Sequence, residues 1–238
     1  MFAIFPELVR CAKAKEEEKL ALLAHRYFGT GEPLRIRAEY EEMLANAGIR
    51  LCYDDTLEGY GALLVKDERG LATPALFIKK DMDWVEQKFL LTYLFGRFLF
   101  EFQIKIAAGT SKTGGIKELH SPYQRFLANK RILNPQASVL AVKQEWLADE
   151  FAGAFLLPKQ WLRKFVEEER EPHRIAAHFA VSIDFLKARI RHIRQKSQSS
   201  VANANPKLPP EGSKKLAQRT ASPLSRIRAL AKKIDPSL

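Results

Sequence analysis

Between Asp83 and Gln103 the chain carries a helical run whose apolar residues fall on nearly every face, densest from Phe89 to Phe100. A helix without a polar side can only lie in the middle of a domain, covered all round by other elements. The run is interrupted by Arg97 and flanked by Lys88 and Glu101, so it is too short to span a bilayer. The rest of the fold must therefore be arranged around this helix.

The flanking segments supply that cover. With 238 residues and 46% hydrophobic side chains, the chain can bury a sizeable core. Residues 7–28, with Leu20, Leu22, Leu23 and Tyr27, predict a first helix stopped at Gly29, and Pro33 suits the start of a second that ends before Gly48. Three strands are predicted at 49–53, 61–66 and 74–79, separated by Asp54-Asp55, Gly59 and the turn-like 67–70. After the central helix, residues 107–139 contain Gly109, Gly114, Gly115, Pro122 and Pro135 with little periodicity, and read as an irregular excursion that can cover a groove. Helices are then expected at 142–157, stopped by Pro158, and at 159–168, with Trp161, Leu162 and Phe165 inward. A pair at 172–179 and 183–194 follows, joined at Ala180-Val-Ser182, where Ser182 is placed to cap the second member.

Residues 195–213 are rich in Ser, Asn, Gln, Pro and Ala and predict a flexible linker. A last amphipathic segment, 223–234, sets Leu224, Ile227, Leu230, Ala231 and Ile234 on one stripe. From Gln195 onward nine Lys or Arg stand against two acids, so +7 of the formal +11 lies in this tail. Such a segment can follow a polyanion, and Lys214, Lys215, Arg219, Arg226, Arg228, Lys232 and Lys233 are the candidate nucleic-acid or partner contacts. Its amphipathic end suits equally a partner-docking or membrane-surface helix.

Cys11 and Cys52 have neither metal-knuckle nor disulfide-framework spacing and are expected to be buried thiols. The start of the chain lacks the basic-then-apolar pattern of a secretory signal, so a cytoplasmic location is expected. Among the histidines, His25 and His192 read as helix-surface residues. His173 and His178 are five apart and diverge on a helix, while His120 is the one in the excursion that could fold over a groove.

Two segments carry a resemblance: Lys88-Phe-Leu-Leu-Thr-Tyr-Leu-Phe-Gly-Arg97 and Glu145-Trp-Leu-Ala-Asp-Glu-Phe-Ala-Gly-Ala-Phe-Leu-Leu-Pro158. Their order after three strands resembles the ImmA/IrrE family of zinc-dependent endopeptidases, over roughly residues 30–195. The resemblance implies an α+β fold: a small three-stranded sheet packed on a zincin-like helical bundle, followed by the short helix pair and the basic tail. The implied organisation is an N-terminal helix (1–29), a peptidase-like domain (30–195, with a helix-turn-helix-like pair at 172–194) and a tail (196–238).

In that family two His at i and i+4 on the central helix bind zinc, an intervening Glu activates the metal-bound water, and a carboxylate on the second helix completes the ligand set. At the matching positions this chain has Tyr93 for the first His, Leu94 for the general base and Arg97 for the second His, with Glu145 retained. Leucine cannot take a proton, and a guanidinium offers a metal no lone pair. The expectation is a degenerate member without catalytic residues, metal or cofactor, acting as a bacterial regulatory or protein-binding module. The family implies a DNA-binding regulator as partner. The competing readings are an active zinc peptidase with atypical ligands and a nucleic-acid-binding protein using its basic tail.

Two structural expectations follow. A Glu145 left buried without zinc needs another cation, and Arg97 is expected to pair with it, with the Tyr93 hydroxyl nearby. In the helix pair, Ala176, Val181 and Leu186 are expected to form the interhelical core; a DNA-reading role would need Ser182, Asp184 and Lys187 exposed, where Asp184 suits phosphate poorly.

Overall fold

A computed structural model describes residues 5–29, 32–57, 59–68, 71–108, 114–118, 122–128, 139–168 and 170–204. The chain divides into two compact units, Met1–Pro158 and Lys159–Leu238, so the expected domain at 30–195 draws on both.

The first unit begins with α1 (Pro6–Ala14) and α2 (Glu17–Phe28). A single helix over 7–28 was expected; the structure breaks it at Lys15, which takes the left-handed conformation (φ 57°). The Lys15 and Glu16 amides bond back to the Ala12 and Cys11 carbonyls, closing the end of α1 as a helix C-terminus normally closes. Helix α3 (Arg37–Asn46) starts later than Pro33 suggests. The Glu39 carboxylate accepts from the backbone amides of Arg35 and Ile36 (3.0 Å for Ile36), which fixes the first turn after Ile36.

The sheet comprises β1 (Arg50–Tyr53), β2 (Gly61–Glu68), β3 (Leu71–Ile78) and β4 (Gly114–Glu118), in the order β1-β3-β2-β4. β1 runs parallel to β3, and β2 is antiparallel to both its neighbours. The three predicted strands are present and the α+β class holds. The fourth comes from the excursion, where the Gly114-Gly115 pair signals a turn rather than a strand in sequence.

Asp83 caps α4 (Trp84–Arg97) by accepting from the Val85 amide at 2.8 Å. Every α4 residue from Gln87 to Arg97 is buried, as the all-round apolar pattern requires. The helix continues to the expected end, but as a π-helical turn (Phe98–Gln103) and then a single turn, α5 (Ile104–Ala107). A run that is apolar on every side has no phase, so its periodicity cannot reveal a turn with an extra residue. After β4 come α6 (Pro122–Ala128) and α7 (Val139–Leu156).

Helix α7 packs against α2 and α4. Phe28, Phe95, Phe151 and Phe155 mesh at the junction, with ring centroids 5.8–6.4 Å apart and mostly edge-to-face. Gly96 makes that approach possible, because a Cβ there would lie 2.7 Å from Phe151 Cδ1. His25, expected at the surface, is 2% exposed. Its Nε2–H donates to the Phe155 carbonyl at 2.8 Å, and its ring stacks on Phe155 with centroids 3.9 Å apart. The carbonyl belongs to the last turn of α7, where a helix needs outside donors. Of the two cysteines, Cys11 is buried and Cys52 half-buried, and both are free thiols.

The second unit contains α8 (Lys159–Glu167), α9 (Pro172–His178) and α10 (Ile183–Ala204). Ser182 caps α10 as expected, its Oγ accepting from the Phe185 amide at 3.0 Å. Ala176, Val181 and Leu186 are buried. Phe179 packs with Trp161 and Phe165 of α8. His192, also expected at the surface, is buried on α10. The helix runs ten residues beyond Arg194, through what was expected to be linker, because 195–204 contains neither Gly nor Pro to stop it. The cationic tail residues Lys214 to Lys233, the segment 223–234 and His120 lie outside the described residues. Among the described residues no helix is long and apolar enough to cross a membrane.

Candidate functional site

The site lies where the last turns of α4 pass into the π-helical turn. Tyr93 and Arg97 are four apart, so they share one helical face. Arg97 Nη1 donates to the Tyr93 hydroxyl at 3.0 Å, and the guanidinium carbon sits 5.9 Å from the centre of the Tyr93 ring. On its other side Arg97 Nε donates to Glu101, four residues further on. Tyr93 is 0%, Arg97 6% and Glu101 8% exposed, so the group is enclosed. Burial works against the Arg97 charge, but Tyr93 and Glu101 outweigh it and hold the guanidinium pKa above its ordinary value.

Glu101 is thus a carboxylate on Arg97, and the one expected there is Glu145. That expectation assumed a buried carboxylate left without zinc. Glu145, in the first half of α7, is half-buried. Glu101 was missed because it lies outside the family's motif, although its i, i+4 spacing from Arg97 is plain in sequence.

Leu94 takes a different side of α4. A Cβ on Gly61 of β2 would lie 3.2 Å from Leu94 Cδ1 and 2.9 Å from Leu90 Cδ2, so the base position is occupied by an aliphatic side chain under the sheet. Its neighbours there are apolar, and it has no group that can accept a proton.

Zinc does not fit this donor set. The i, i+4 face that would present two imidazoles presents a phenol and a guanidinium bonded to each other. Among the described residues no group of three or more His, Cys, Asp or Glu is placed to hold a metal. What the arrangement does chemically is keep one positive and one negative charge paired in a closed space, with every donor direction seen for Arg97 directed into the protein.

A further cation lies one turn before Tyr93 on α4. Lys88 is fully buried, and its ammonium pKa is pushed down to about 8, chiefly by burial and then by Arg35, with Glu39 opposing. In the second unit Asp184 is exposed and pairs at 3.8 Å with Lys187, while Ser182 is taken up in the cap. All three candidate base-reading positions are thus engaged within the first turns of their own helix.

The α4–α7 pair brings together the two segments on which the sequence resemblance rests, within an α+β fold. The comparisons agree over part of the chain: residues 133–191 match the peptidase family model described as IrrE N-terminal-like domain. This stretch holds the Glu145–Pro158 segment on which the sequence resemblance rests. Residues 88–97 fall outside it. No curated protein matches the chain.

Proposed function

We propose that this protein is an IrrE-like domain without peptidase activity, which acts by binding a protein partner rather than by cutting one. The observation that carries the reading is the Tyr93–Arg97–Glu101 group: a hydrogen-bonded cation stands on the helical face that two zinc ligands would use. A permanently charged guanidinium repels a divalent ion, and the base position is leucine. The resemblance supplies the kind of partner, a DNA-binding regulator. Metal analysis of the purified full chain tests the reading, with substoichiometric zinc expected. Zinc at one per chain, together with proteolysis abolished by Glu145→Gln, would establish an atypical peptidase instead.

The tail favours a second contribution, since its net +7 is spread over residues 195–238. We infer sequence-independent attraction to nucleic acid, weakening steeply with salt. Replacing Lys214, Lys215, Arg219, Arg226, Arg228, Lys232 and Lys233 by Gln in the full chain should abolish DNA binding at low salt. Unchanged binding would assign the affinity elsewhere.

A further inference from the structure

The first turns of α3 and α4 meet the end of β1 at a corner remote from the Tyr93–Arg97 group. Trp84 opens α4 and Arg97 closes it, about 20 Å apart along the helix axis. Gln87 ties this corner together: its Oε1 accepts from Arg37 Nη2 at 2.9 Å, and its amide donates to the Lys79 and Lys80 carbonyls just after β3. Trp84 Nε1 donates to the Arg35 carbonyl at 3.1 Å, and the indole meets the ring of the buried Tyr40 edge-on, with centroids 5.6 Å apart. The Tyr53 hydroxyl donates to Glu41 at 2.8 Å. Both rings are thus held by their own chain, and the Arg37 guanidinium lies over each, 5.3 Å from the centre of Tyr53 and 5.7 Å from Trp84.

This leaves a guanidinium that is oriented but has no acid. Arg37 is exposed, and among the described residues its hydrogen bonding ends with Gln87. The carboxylates nearest in sequence are used elsewhere, Glu39 on the Arg35 and Ile36 amides and Glu41 on the Tyr53 hydroxyl. The N–H groups left over belong to a planar fork that matches the two oxygens of a carboxylate. Beside it Ile36 is 58% and Tyr53 37% exposed. Arg, Tyr and Trp dominate binding at protein interfaces, and rings already held in place lose little freedom when a partner arrives. A second copy of this chain is the wrong occupant, because two chains of formal net charge +11 repel each other. An acidic partner is drawn in by the same charge.

We propose that Arg37, Tyr53 and Trp84 form a docking site for an acidic segment of a protein partner. The Arg37 fork holds a carboxylate of that segment, and a large apolar side chain next to the carboxylate covers Ile36 and the Tyr53 ring. This rests on the partner-binding reading and names where the partner is held, but its failure would leave the zinc and proteolysis results that test that reading unaffected.

The test uses the full chain carrying the seven Gln replacements in the tail, so that the tail cannot hold an acidic probe, and a fluorescent peptide Ser-Glu-Leu-Glu-Leu-Ser followed by anisotropy. Arg37→Lys keeps the charge but loses the stacked fork, and should weaken binding about tenfold, as should Tyr53→Ala. Arg50→Lys, an exposed position at the other end of β1, should leave the affinity unchanged. The same peptide with Gln for Glu should not bind. Absence of binding by the Glu peptide, equal affinity with Arg37 and with Lys at 37, or equal binding of the Gln peptide would each overturn the proposal. A thymidine oligonucleotide that lost affinity with Arg37→Lys while the Glu peptide did not would assign the fork to phosphate and overturn it as well.

Discussion

Arg97, the last residue of α4, is paired with Glu101 in the π-helical turn that follows, so one ion pair spans the change of helix type. Both side chains are almost fully enclosed. Removing either partner leaves the other charge buried without it, and such a loss costs about 3–5 kcal/mol, whereas replacing both with apolar groups of similar volume can be nearly neutral. Arg97→Met and Glu101→Leu should each lower the unfolding free energy by about that amount, and the double variant should recover most of it. Chemical denaturation of the four chains measures this coupling. Additive losses would mean that the two side chains are held by other groups.

Gly96 is adjacent to this pair but faces Phe151. Since a Cβ at 96 would come within 2.7 Å of the ring, Gly96→Ala must push Phe151 away, and α7 with it. Overpacking of this kind costs about 1–3 kcal/mol, more than the gain in helix propensity of about 1 kcal/mol from replacing glycine. Gly96→Ala should therefore destabilise the protein, and Gly96→Ala with Phe151→Leu should regain stability relative to Gly96→Ala alone. Thermal unfolding of the three variants checks the sign.

The parts of the molecule that were legible in sequence are those where one local rule points one way. The largely apolar 89–100 run requires a central helix, Ser182 caps α10, and Ala176, Val181 and Leu186 are buried. Tyr93 and Arg97 share a helical face because they are four apart, and that spacing is plain in the sequence. What was hidden depends on partners distant in sequence. Gly114-Gly115 becomes strand only because β2 offers an edge, and His25 is buried only because α7 brings the Phe155 carbonyl to it. Glu101 escaped notice for a different reason: attention to the metal motif favoured a carboxylate on another helix, while one four residues away also meets Arg97.

His25 carries a pH dependence with a definite sign. Burial pushes its pKa down from 6.5 to about 4, opposed by the bond to the Phe155 carbonyl. The unfolded chain therefore binds the proton first, and stability falls as pH drops from about 6.5 to 4. The full effect is about 3 kcal/mol at 1.4 kcal/mol per pKa unit. His25→Phe removes the titration and also leaves the Phe155 carbonyl without this donor, at a cost of about 1–3 kcal/mol near neutrality. The two unfolding curves should converge as pH falls from 7 to 4. A gap independent of pH would mean that His25 does not titrate in this window.

Lys88 gives a dependence of the same sign at high pH. Its folded pKa of about 8 lies below the ordinary value of 10.5, chiefly because burial disfavours the ammonium. Between those two values the unfolded chain holds the proton and the folded chain does not, so this residue's penalty lessens as pH rises and is gone above about 10.5. Lys88→Met keeps a flexible apolar side chain of similar length and removes the charge. At pH 7 it should stabilise the protein by up to about 3 kcal/mol, the equivalent of the pKa displacement, and the advantage should shrink steadily towards pH 10. Urea midpoints at pH 7, 8.5 and 10 measure it, and an advantage that stayed constant across the three would show that the Lys88 ammonium is as well solvated inside the protein as outside.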